Sequence, residues 1–88
     1  MTISNLKSVL THPIFHGSEL PTLQQVQYCL DTPVRRGQDS YHLKHVAEQS
    51  CTVWLPEAAM IAAIMLRGIP FRVEGSSVVA TGSDCEGS

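Results

Sequence analysis

His42 and His45 are three residues apart in a stretch with helical patterning, so both imidazoles can aim at one point, where Cys51 and Cys29 would complete a tetrahedral zinc shell. No C-x-x-C cysteine pair accompanies them, and the simpler expectation is that His45 packs against Tyr41 or caps a carbonyl while His42 is solvated. Cys51 beside a histidine would also suit a nucleophile and its base, because an imidazolium favours the thiolate. That chemistry needs an orienting third group and an oxyanion hole, for which the sequence offers no pattern, and cysteine is among the most often buried residue types. The expectation is a protein that is not an enzyme and carries no catalytic residue, metal or cofactor.

Basic and aromatic side chains are the other source of chemistry. A DNA-binding scheme would lay the helix after Leu55 in the major groove, put Arg35, Arg36 and Lys44 on phosphates and use Arg72 on a wing. Base edges are read by Arg, Lys, Asn or Gln, whereas this helix offers Glu57 and then hydrocarbon from Ala58 to Leu66. Charge argues the same way. From Met1 to Gly82 six basic residues (Lys7, Arg35, Arg36, Lys44, Arg67, Arg72) face six acids (Glu19, Asp31, Asp39, Glu48, Glu57, Glu74), so no basic excess exists to drive counterion release. Protein binding fits better. Tyr41 and Trp54 are of the types that dominate binding energy, and Met60 and Met65 adapt to irregular surfaces. The expected contact set is Arg35, Arg36, Tyr41, Lys44, Trp54, Arg67 and Arg72, with binding to DNA as a homodimer as the alternative.

The elements that would position these residues follow from caps and periodicity. Ser4 is expected to cap a short helix over residues 5–10 that His12-Pro13 ends, with Ile14 and Phe15 plugging the core and Gly17-Ser18 turning the chain. Thr22 caps a second helix, with Leu23, Val26, Tyr28 and Leu30 partly periodic, Gln24, Gln25 and Gln27 facing water, and Asp31-Thr32-Pro33 closing it. A third helix runs from Asp39 or Ser40 to about Gln49, with Leu43, Val46, Ala47 and Ser50 inward. After a turn over residues 51–54, Pro56 at the first helical position opens a helix to Arg67-Gly68 that has no polar face, so it is either central or half covered by a partner. Residues 71–73 and 78–80 read as a hairpin turning at Gly75. The result is an α+β domain with a helix-turn-helix-like second half and a C-terminal hairpin, winged-helix-like in arrangement.

Residues 1–82 are expected to form a single domain, followed by a disordered acidic tail over 83–88 that carries the surplus of the formal net charge of −2. The longest uncharged helical run, residues 58–66, is far short of the roughly 20 residues a bilayer span requires. Three cysteines without C-x-x-C spacing and without a signal-peptide pattern suit a reducing cytoplasm.

The run Ser40-Tyr41-x-Leu43-Lys44-His45-x-x-Glu48, followed by Ile61-Ala62-Ala63 and the exit Gly68-Ile69-Pro70-Phe71, resembles small proteins of phages, prophages and integrative elements. The likeness covers about half the chain. It departs at the start of the apolar helix, where those proteins often have Asn-Gly and this chain has Leu55-Pro56. The resemblance implies a small mobile-element protein in a bacterial host's cytoplasm, a setting in which such genes commonly encode regulators or inhibitors of host systems. The expectation taken from it is binding and inhibition of a host protein or nucleoprotein complex, as an anti-CRISPR or other anti-defence inhibitor does, and it brings no residue roles with it.

Overall fold

The computed structural model describes residues 3–15 and 20–82, with side chains from Leu6 onward. The turn expected at Gly17-Ser18, the tail over 83–88 and Cys85 lie outside the described residues. Four helices precede a two-stranded antiparallel hairpin, so the fold is α+β. They are α1 (Ile3–Val9), α2 (Leu23–Leu30), α3 (Ser40–Cys51) and α4 (Glu57–Leu66), then β1 (Phe71–Glu74) and β2 (Ser77–Ala80); a 3-10 turn, Pro13–Phe15, follows α1.

The first helix begins at Ile3, so Ser4 lies inside it instead of capping it from outside. Thr22 does cap α2, and the cap is reciprocal: its Oγ1 accepts the Gln25 N–H while Gln25 Oε1 accepts the Thr22 N–H. Gln25 is therefore engaged at the helix start, not turned to water. Only Val26 and Cys29 of α2 are fully buried, because residues three apart share a face; Tyr28 stands outside, with its hydroxyl accepting from Gln24 Nε2.

Asp39 caps α3 by accepting the His42 N–H at 2.7 Å. Its buried face is Ser40, Leu43 and Ala47; Val46 and Ser50 are exposed, since at about 100° per residue Val46 is rotated well away from Ala47. The helix ends at Thr52, whose φ of 56° is left-handed. Pro56 is the N-cap of α4, not its first helical residue, and Glu57 takes the first position.

The apolar α4 is central. Ala59 to Ile64 are six consecutive buried residues, and the helix contacts α1, α2, α3 and β2. Three of the six are alanines, which let α2 and α3 approach, while Met60, Ile61 and Ile64 supply burial of roughly 1.5–3 kcal/mol each. Leu55, Val34 and Phe15 from the connecting segments complete the core. The hairpin is one pair longer than its apolar residues suggest: Glu74 pairs with Ser77, leaving Gly75-Ser76 as a two-residue loop. Gly75 has φ of 63° and Ser76 does not share the positive sign, the pattern of a type II′ turn.

Candidate functional site

Two polar clusters flank the start of α4. Inside, Ser40 Oγ donates to Glu57 Oε2 at 2.7 Å and accepts the Val78 N–H at 3.1 Å, while Ser77 Oγ donates to the same carboxylate oxygen at 2.5 Å. One carboxylate thus ties the starts of α3 and α4 to the start of β2. Among the described residues, no buried side-chain nitrogen or oxygen lacks a partner. Separations of 17 and 20 residues hide this cluster from sequence patterning, which sees only the Ser and Glu expected near helix starts.

Outside, Glu48 organises the turn from α3 to α4. Its Oε2 accepts the Leu55 N–H at 2.9 Å, and its Oε1 lies 3.1 Å from His45 Nδ1 and 3.7 Å from Lys44 Nζ. The Leu55 N–H above all, aided by Lys44 and His45, holds its carboxyl below the ordinary value of 4.5, with burial opposing them. Lys44 Nζ also donates to the Leu55 carbonyl at 3.2 Å and sits 5.9 Å from the Tyr41 ring centre and 5.7 Å from that of Trp54. Tyr41 meets His45 edge-on at 4.6 Å. Despite these contacts Tyr41 is 57% and Trp54 68% exposed.

Trp54 also borders a groove of about 360 Å³ lined by Ile14, Phe15, Pro56, Glu57 and Ala58 and by Ser76 of the hairpin loop. On another side, with Leu20, Thr22, Gln25 and Pro56, it lines a smaller recess of about 80 Å³.

Of the seven expected contact residues, the structure brings Tyr41, Lys44 and Trp54 together and places the arginines elsewhere. Lys44 is 12% exposed, with its ammonium committed to the turn. Arg67 caps the far end of α4, about 15 Å along the axis, and donates from Nη1 to the Thr32 carbonyl at 2.6 Å. Arg72 pairs with Glu74 on β1. Arg35 and Arg36 are exposed on a loop stitched to β2 by Gly37 N–H to the Ala80 carbonyl and Ala80 N–H to the Gln38 carbonyl. The residues sequence reasoning missed are Glu48, Ser40, Glu57 and Ser77.

His42 is exposed, and His45 is engaged with Tyr41 and Glu48. Among the described residues, no three His, Cys, Asp or Glu side chains are grouped so as to hold a metal ion. Burial, then the neighbouring Cys51 and Glu48, push the Cys29 thiol up to about 12, which keeps it protonated and unreactive. No helix among the described residues is long and apolar enough to cross a membrane. No protein-family model, curated protein or solved structure matches the chain.

Proposed function

We propose that this chain is a non-catalytic binding protein whose contact face is the exposed pair Tyr41 and Trp54, with the groove beside Trp54 receiving part of the partner. The observation that supports this reading is the pinning of two large exposed rings around one lysine. Exposed aromatics on a mobile loop would lose entropy when they bind; here Glu48 and Lys44 have already fixed the turn that carries Trp54. Lys44 acts as a positioning residue. Arg35 and Arg36 supply charge from a separate, stitched loop.

The likeness to phage and integrative-element proteins directs the choice of partner. In that context the target is a protein or nucleoprotein complex in a bacterial host's cytoplasm, and binding inhibits it, with CRISPR interference as the leading case. Operator binding by a homodimer is the competing reading. It finds less support, because the buried stretch of α4 has no exposed side chains to offer a base edge.

The test is capture of host complexes by the tagged protein from a CRISPR-bearing bacterium, in parallel with Trp54→Ala. A stoichiometric complex retained by the wild type and weakened by at least about 2 kcal/mol, roughly thirty-fold, in the variant supports the proposal. Recovery of DNA alone, with affinity that falls steeply with salt and does not depend on Trp54, moves the function to operator binding.

A further inference from the structure

We propose that β1 pairs antiparallel with β1 of a second copy of this chain, joining two hairpins into one four-stranded sheet. The backbone groups of β1 point in two directions, half toward β2 and half away from it. Thr81 N–H donates to the Pro70 carbonyl at 2.8 Å, so Pro70 and Thr81 form a hydrogen-bonded pair just beyond the ladder. Bonded and non-bonded pairs alternate along an antiparallel ladder, which makes Arg72 with Val79 and Glu74 with Ser77 the bonded pairs. The N–H and C=O groups of Phe71 and Val73 therefore point away from β2.

The far edge of β2 obeys the same alternation, and there the groups are satisfied. Val78 N–H reaches Ser40 Oγ at 3.1 Å, and Ala80 exchanges bonds with Gly37 and Gln38. Among the described residues nothing equivalent accepts from or donates to Phe71 and Val73 on the outer edge of β1. No proline or bulge lies within β1 to block a further strand, and Val73 on this edge is 49% exposed.

Charge then selects both the occupant and the register. Arg72 and Glu74 occupy alternate positions and already attract one another within the chain. Pairing centred on Val73 sets Val73 against the partner's Val73 as a hydrogen-bonded pair. Arg72 then lies opposite the partner's Glu74, and Glu74 opposite the partner's Arg72, at the non-bonded positions where side chains are closest. Centring the pair on Arg72 would oppose two arginines. The four-residue edge is thus complementary to itself in one register, as a two-fold interface requires. Four residues a side is small beside the roughly 20–30 of a standard interface, so the association is weak and depends on concentration. It uses none of the aromatic face assigned to partner binding.

The experiment is sedimentation equilibrium of the full chain up to roughly 1 mM, with folding followed by circular dichroism. The wild type is expected to self-associate. Arg72→Glu and Glu74→Arg should each be monomeric, since each places like charges opposite one another. An equimolar mixture of the two should dimerise again, because every cross-strand position regains opposite signs. Val73→Pro, which removes an outward N–H with no intrachain partner, should be folded and monomeric. A wild type that stays monomeric throughout, single variants that associate like the wild type, or a mixture that stays monomeric would each overturn the proposal.

Discussion

Glu48 and Ser40 are the two residues whose loss would be felt furthest from where they stand. Because the Glu48 carboxyl is held below 4.5, its ionised form contributes stability that is complete above the unfolded-state value and is lost as pH falls through the lower folded-state value. Glu48→Gln should accordingly melt below the wild type at neutral pH, with the difference shrinking once the buffer drops under 4.5; thermal melts across an acid series measure this. Ser40→Ala removes the acceptor of the buried Val78 N–H and a donor to Glu57, and should lower stability by about 1–3 kcal/mol in a urea titration. Neither role is legible in the sequence. A glutamate at the end of Ser40-Tyr41-x-Leu43-Lys44-His45-x-x-Glu48 reads as an ordinary i,i+4 partner of Lys44, and only the fold reveals that it also accepts the Leu55 N–H across the turn. Tyr41 and Trp54 could be chosen from residue type, but their meeting around Lys44 depends on the angle between two helices.

Among the elements, most caps and turns were legible, with Ser4 and Pro56 each misplaced by a position or two, and helix faces were the weaker part. Thr22, Asp39, Gly68 and Gly75 do what their chemistry dictates: two accept backbone N–H groups at helix starts, and two adopt positive φ where the chain reverses. Faces were harder because α3 is short of large apolar residues, so that Val46 competes with Ala47 on hydrophobicity alone, and the small residue is the one that is buried. Thr52 is the exception to agreement between residue and backbone, a β-branched side chain at φ 56°. Thr52→Gly relieves that conflict and should raise the unfolding free energy by about 0.5–1 kcal/mol in denaturant melts, provided the left-handed cap is what ends α3. The Thr52 N–H to Glu48 carbonyl bond at 2.8 Å belongs to the backbone and survives the change.

At the scale of the whole molecule, the helix with no polar face resolves into the hub of the fold. Composition alone left two possibilities for α4, because a stretch of alanine, methionine and isoleucine suits a core and a contact surface equally. Its surroundings decide, with α1, α2, α3 and β2 all packed on it. Met60→Ala should cost about 2–5 kcal/mol, read from the shift in denaturation midpoint, because a fully buried side chain is removed from a site bounded by several elements. Such a loss is a large fraction of the 5–15 kcal/mol available to a domain. The same arrangement means that none of α1, α2, α3 and β2 can lift away without uncovering part of the hub. Amides of Ala59 to Ile64, hydrogen-bonded within α4 under this cover, are expected to be the slowest to take up solvent deuterium, at rates that report the unfolding of the domain and not a local fluctuation.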